Sequence, residues 1–323
     1  MEIKGTYKVI ITDSDFPTAE VETEVLSQIG AEVQLFQCKT EEEVIKVARD
    51  ADGIINNYVP ITEKVISNLK KARIIVRYGI GYDNVNLKAA SDKGIFVCNV
   101  PDYLTYEVAD HTLSLILSLV RRIPEITNST KTGEWDWMKF RPIYRLDGKT
   151  AGIIGFGHIG RQVAERLKAF KVKVISYSPH VQPELMQEED VKPVNLKTLL
   201  KESDIISIHT SLTEGKKHLI GEEEFRLMKK TAILINTARG AIVDQKALYR
   251  ALKEKWISGA ALDVLEKEPP EPNDPLLKLD NVIITPHIGW YTEESAINLR
   301  KLAAEEVRRV LLGNKPKNLV NPE

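Results

Sequence analysis

The sequence predicts an α/β protein built as two doubly wound parallel-sheet domains with a cleft between them. Three observations carry that expectation. Strand-like and helix-like runs alternate through the first third of the chain, and the alternation restarts at Thr150. A glycine turn opens the second series where a strand hands over to a helix. With 323 residues the chain is long enough for two separate cores.

The first series has strand-like runs at Lys8–Ile11, Glu32–Phe36, Gly53–Asn56, Ile74–Arg77 and Phe96–Asn99. Helix-like segments lie between them at Ala19–Ile29, Glu41–Ala48, Thr62–Asn68 and Leu87–Lys93. Thr62, followed by Glu63, has the hydroxyl expected at a helix start. Glu107–Arg121 then reads as a helix apolar on many sides, the pattern of a buried or inter-subunit helix. Arg122–Asp147 shows no periodicity but carries Trp135, Trp137, Phe140 and Tyr144, an irregular aromatic segment that calls for a partner surface. These two segments predict a homodimer.

In the second series the strand-like runs are Thr150–Ile154, Val172–Ser176, Ile205–Ile208, Ala232–Asn236, Gly259–Val264 and Val282–Thr285. Helical spacing appears at Arg161–Phe170, Leu196–Glu202, Glu222–Met228 and Gln245–Lys253. Thr292–Leu312 is long and amphipathic and can return to the first series. Gly313–Glu323 reads as a polar tail.

Composition narrows the function. Lys plus Arg total 45 and Asp plus Glu 46, so a net charge of −1 gives no electrostatic footprint for nucleic acid or a membrane surface. Met1–Lys8 lacks the apolar stretch of a signal peptide, and no apolar run approaches spanning length. Cys38 and Cys98 read as buried free thiols of a reducing compartment, so a cytoplasmic protein is expected. No metal-ligand pattern stands out.

Gly155-Phe156-Gly157-His158-Ile159-Gly160 follows a β-branched run and opens a helix, the context that makes G-x-G-x-x-G a dinucleotide fingerprint. Gly155 permits the tight turn, Gly157 lets backbone approach a pyrophosphate, and Gly160 lets helix and strand pack closely. Backbone N–H groups at the helix start then face the anion. Three polar residues lie just past later strands: Arg239 before Gly240, Glu268 before Pro269, and His287 after Pro286. An alcohol–ketone redox step needs such a set. A histidine exchanges the hydroxyl proton in either direction, a carboxylate orients it, and a guanidinium holds a substrate carboxylate.

Four blocks, in order, carry a resemblance: Gly155–Gly160, Asn236-Thr237-Ala238-Arg239-Gly240, Ala261-Leu262-Asp263-Val264 with Glu268-Pro269, and Pro286-His287-Ile288. The chain resembles the D-isomer-specific 2-hydroxyacid dehydrogenase family. The resemblance implies a flavodoxin-like substrate domain (1–100 plus 292–323) and a Rossmann cofactor domain (101–291). It implies His287 as acid and base, Glu268 as its partner, Arg239 as substrate anchor, and Asp263 near the nicotinamide. His158, Ile159, Thr210, Thr237, Ala238, Gly289 and Thr112 are expected to line the cofactor, and His111 to be structural. Arg77–Asn84 resembles the family's substrate loop, with Tyr78, Gly79, Ile80 and Gly81 facing the substrate.

Departures from the family pattern bear on specificity. The position that usually carries an acid for the adenosine ribose, about 20 residues past the glycines, is Ser178. The expected cofactor is NAD, with NADP as the alternative. Asn57 stands where phosphoglycerate-type members place an arginine, and no regulatory segment follows residue 323, which argues against a phosphorylated substrate. Trp290-Tyr291 and Val97–Pro101 resemble the branch that includes glyoxylate reductases and the C-terminal-binding-protein corepressors. Trp290 is expected to wall the pocket for a small 2-keto acid with an apolar tail. The alternative is a nucleotide-sensing, corepressor-like scaffold without turnover.

Overall fold

The computed structural model describes residues 7–321, so most of the Met1–Lys8 segment read above, together with 322–323, lies outside the described residues. The chain divides into two compact units: Met1–Leu104 with Tyr291–Glu323, and Thr105–Trp290.

The first unit holds a five-stranded sheet in the order β2-β1-β3-β4-β5, formed by β1 (Lys8–Ile11), β2 (Glu32–Leu35), β3 (Gly53–Asn56), β4 (Ile74–Arg77) and β5 (Phe96–Cys98). All its ladders are parallel. Parallel strands are covered on both faces, which explains the nearly continuous apolar runs: Ile10, Ile54, Ile55, Ile74, Ile75 and Val97 are all fully buried. Helices α1 (Glu20–Ser27), α2 (Glu41–Ala48), α3 (Glu63–Asn68) and α4 (Leu87–Asp92) connect them. Thr40 forms a capping box with Glu43, and the side chains of Thr62 and Asn86 cap the next two helices. Each such cap contributes about 1 kcal/mol.

The long C-terminal helix Glu293–Leu311 packs on this sheet. Gly53 makes room for it, because a Cβ there would stand 2.8 Å from Val307. Its Arg300 is buried against Glu22 of α1, with Nε and Nη2 each donating at 2.7 Å to a different carboxylate oxygen. Removing one member of such a pair leaves the other charge unpaired, at a cost of about 3–5 kcal/mol. The segment read as a polar tail is instead fastened to β5, as far as it is described. Leu319 bridges Cys98, and Asn321 accepts from Val97 N–H while donating to the Ile95 carbonyl. Its polar side chains satisfy a sheet edge, a use that composition does not reveal.

The second unit opens with α5 (Thr105–Val120) and α6 (Ile123–Lys131). Its seven-stranded parallel sheet has the order β12-β11-β10-β9-β6-β7-β8. The strands are β6 (Thr150–Ile154), β7 (Lys173–Tyr177), β8 (Lys192–Pro193), β9 (Ile205–Ile208), β10 (Ile233–Asn236), β11 (Gly259–Leu262) and β12 (Val282–Ile284). Helices α7 (His158–Ala169), α8 (Pro183–Glu188), α9 (Leu196–Glu202), α10 (Glu222–Leu227) and α11 (Gln245–Lys253) cover it. Chain order reverses between β6 and β9, so the carboxyl ends of those strands form the topological switch point where such sheets bind ligands.

Two expectations are corrected here. Arg122–Asp147 is not irregular throughout, since it contains α6 and a 3-10 turn at Trp137–Phe140. No residue of α6 is buried, so no apolar stripe announces it, and Arg122 at φ 55° separates it from α5. The helix after the glycine turn begins at His158, directly at the turn, and not at Arg161. No described helix is long and apolar enough to cross a membrane. Cys38 and Cys98 are buried free thiols, and burial first of all pushes them up to about 11 and about 12.

Candidate active site

The glycine turn after β6 shows how each glycine is used. Gly155 has φ +97°, and a Cβ on it would stand 2.6 Å from the His209 carbonyl oxygen. A Cβ on Gly160 would stand 2.2 Å from the Gly155 carbonyl oxygen, so α7 can lie this close to β6 only with glycine there. Gly157 differs: no atom lies within 4 Å of where its Cβ would be. It caps α7 without any side-chain cap. The space a side chain would fill is left open in front of the helix start, as a pyrophosphate requires. His158 is exposed, Ile159 half-buried and Gly160 buried. The residues therefore fit a dinucleotide.

The neighbouring strand ends supply the rest of this rim. Ser178 follows β7 and is half-buried; its carbonyl accepts the Val181 N–H at 3.1 Å. Thr210 follows β9, and its hydroxyl accepts from Lys216 Nζ at 2.7 Å. After β10, the buried Asn236 side chain donates to the Arg239 carbonyl at 2.9 Å and accepts the Ala238 N–H at 3.0 Å, which shapes the Thr237–Arg239 turn. Asn236 opens the Asn236–Gly240 block in the sequence, but nothing there marks its side chain as the one that shapes the turn.

The three residues expected to carry chemistry all stand at the carboxyl ends of β10, β11 and β12. His287 Nδ1 lies 2.6 Å from Glu268 Oε2, and Leu265 N–H donates to Glu268 Oε1 at 2.9 Å. Burial works to raise the Glu268 carboxyl, but the hydrogen bond and charge of His287, the Leu265 N–H and the Arg239 guanidinium outweigh it. The result lies below the ordinary carboxylate range. A carboxylate on Nδ1 leaves Nε2 as the nitrogen that can exchange a proton with a bound molecule. His287 is a non-glycine residue at φ +54°, held by its N–H on the Asp263 carbonyl at 2.8 Å. Such a conformation persists only where the surroundings fix it.

Asp263 does that fixing. It is 3% exposed, and its Oδ1 accepts from the Thr285 hydroxyl at 2.6 Å and the Ile288 N–H at 2.9 Å. Its Oδ2 accepts the Gly289 N–H at 2.8 Å. Burial alone would raise this carboxyl, but His111, Thr285 and the two backbone donors lower it below the ordinary value. Both oxygens of Asp263 are thus engaged within the protein. Gly289 is buried, with its N–H committed to Asp263.

Two expected contact residues are turned inward. Thr112 is fully buried, its hydroxyl donating to Val108 at 2.7 Å and lying 3.0 Å from Thr237 Oγ1. It reaches the rim only through Thr237, because α5 presents position 112 to the sheet. In the first unit Tyr78 is 2% exposed, its phenol bonded to Glu22 and its N–H to the Asn56 carbonyl. Gly79 has φ +128°, and the carbonyls of Gly79 and Ile80 are taken by Val100 N–H and the Asn99 side chain. In trans peptides the N–H groups of Ile80 and Gly81 then point to the opposite side. Trp290 is half-buried. Among the described residues no cluster of three or more His, Cys, Asp or Glu could hold a metal ion.

Residues 113–289 match the sequence profile of the D-isomer specific 2-hydroxyacid dehydrogenase NAD binding domain. The chain is 43% identical over 316 residues to the D-3-phosphoglycerate dehydrogenase of Methanocaldococcus jannaschii, covering 97% of this chain but 59% of that protein. It therefore spans about six-tenths of that relative's length. It is 40% identical to the glyoxylate reductase of Korarchaeum cryptofilum, covering 95% of this chain and 96% of that one. Among solved structures, the D-lactate dehydrogenase of Aquifex aeolicus in complex with NAD and lactic acid is similar at a TM-score of 0.87 and 33% identity. That match covers 98% of this chain and 99% of the other.

Proposed function

The chain belongs to the D-isomer-specific 2-hydroxyacid dehydrogenase family, and from that premise we propose that it reversibly reduces a small, unphosphorylated 2-keto acid to the D-2-hydroxy acid. Bound NAD(P)H would supply the hydride, with Gly155, Gly157, His158, Ile159 and Gly160 holding the pyrophosphate and Ser178, Thr210, Thr237, Ala238 and Gly289 lining its course. His287 Nε2 gives its proton to the carbonyl oxygen as the alcohol forms, and takes it back in the oxidative direction. Glu268 keeps the ring oriented through its 2.6 Å contact with Nδ1. Arg239 pairs with the substrate carboxylate. The single observation that carries this reading is the 2.6 Å His287–Glu268 pair, sharing one rim with Arg239 and the glycine turn.

An unphosphorylated substrate is supported in the first unit. Asn57 donates to Asp15 at 3.2 Å, as does Tyr58 at 2.8 Å, and Asp13 accepts the N–H groups of Asn57, Tyr58 and Val59. Two carboxylates form a poor seat for a dianionic tail, even with the Arg77 guanidinium near enough to act on Tyr58. Trp290 would favour an aliphatic tail. NAD is the proposed cofactor; Ser178 brings no carboxylate to repel the extra phosphate of NADP, so that cofactor is the alternative. We also propose a homodimer through α5, α6 and the following segment, where Trp135 is 92% and Trp137 73% exposed.

The test is oxidation of NADH and NADPH with glyoxylate, pyruvate and a longer aliphatic keto acid, by wild type and His287→Ala. Turnover that collapses in the variant supports the proposal. Cofactor binding without turnover on any keto acid would favour a nucleotide-sensing scaffold.

A further inference from the structure

His111 projects from α5 toward the turn that carries His287, and its contacts are specific. Nε2 lies 3.0 Å from Thr285 Oγ1 and 3.4 Å from Asp263 Oδ1. The single hydroxyl proton of Thr285 is already given to Asp263 at 2.6 Å. The Thr285 oxygen can therefore only accept from His111, which puts the ring proton on Nε2. A directed chain results, from His111 through Thr285 to Asp263. From Asp263 it continues to the N–H groups of Ile288 and Gly289, and through the Asp263 carbonyl to His287 itself. The imidazole also closes the turn sterically, since a Cβ on Gly289 would stand 3.1 Å from His111 Cδ2. Its helix neighbour Asp110 pairs with Arg166.

We infer that His111 is a positioning residue for His287, holding the Asp263 clamp in the arrangement that keeps His287 at φ +54°. The inference rests on the acid–base role proposed for His287. Loss of the Nε2 donor leaves Thr285 and a buried carboxylate short of a partner, and the turn gains freedom where geometry matters most. His111→Phe preserves bulk without the donor, His111→Gln preserves a donor, and Thr285→Val removes the middle of the chain.

In His111→Phe and Thr285→Val, kcat for keto-acid reduction should fall about tenfold or more with little change in substrate KM, and His111→Gln should recover most of it. Spectra of ¹⁵N-histidine-labelled protein, with His287 assigned by its loss in His287→Gln, give a readout independent of turnover. The His287 ring signals should shift and broaden in the Phe and Val variants and return in the Gln variant, with circular dichroism confirming the fold. Unchanged kcat and unchanged His287 signals in a folded Phe or Val variant would overturn the inference. If wild type turns over no keto acid, a shift of the His287 signals still upholds the positioning role while the enzymatic proposal fails.

Discussion

Gly240 and Leu265 lie in backbone contact: a Cβ on Gly240 would stand 1.9 Å from the Leu265 carbonyl carbon. The contact joins the turn carrying Arg239 to the turn carrying Glu268, because Leu265 N–H also donates to Glu268. Backbone cannot yield as a flexible side chain would. Gly240→Ala should therefore cost about 2 kcal/mol or more and raise the KM for a keto acid. Thermal unfolding and steady-state kinetics check both.

The glycines of the first turn should separate folding from binding. Gly157→Ala meets no atom within 4 Å and should keep the wild-type Tm while losing cofactor affinity. Gly160→Ala meets the Gly155 carbonyl at 2.2 Å and should lower the Tm. Calorimetry paired with titration of NADH fluorescence distinguishes the two.

Ser178 sets the expected tolerance for the cofactor's 2′-phosphate. Ser178→Asp places a carboxylate at the end of β7, where it would accept from a ribose hydroxyl and repel a phosphate. NADPH use should weaken by about tenfold or more while NADH use is kept. Comparing kcat/KM for the two cofactors decides.

Desolvation pulls the His209 imidazole down to about 3, with Nε2 lying 2.7 Å from Ser207 Oγ. The unfolded chain takes up a proton at about pH 6.5 that the folded state does not. The stability tied to the neutral ring is complete above that pH and is lost as pH falls from there toward the folded value. His209→Gln should flatten the fall in Tm between about pH 6.5 and 4.

Much of this was legible because its physics is local. Gly53–Asn56 and Ile74–Arg77 were readable as strands because burial on both faces leaves an apolar run with turn residues around it. Arg239, Glu268 and His287 stood out because each follows such a run. What escaped depends on partners far along the chain. His111 meets Thr285 across 174 positions, and no periodicity marks such a pair. Thr112 and His111 are neighbours on an apolar helix, and only the packing decides which of them turns toward the sheet. The α6 helix escaped for the opposite reason, since nothing in it is buried.

The coupled action of His287 and Glu268 is the claim on which the account turns, and a double-mutant cycle on kcat measures it most directly. His287→Gln and Glu268→Gln should each reduce kcat steeply, and the double variant should lose little more than His287→Gln alone, because the carboxylate acts through the imidazole. Losses that simply multiply, or a His287→Gln enzyme that retains its turnover, would contradict it.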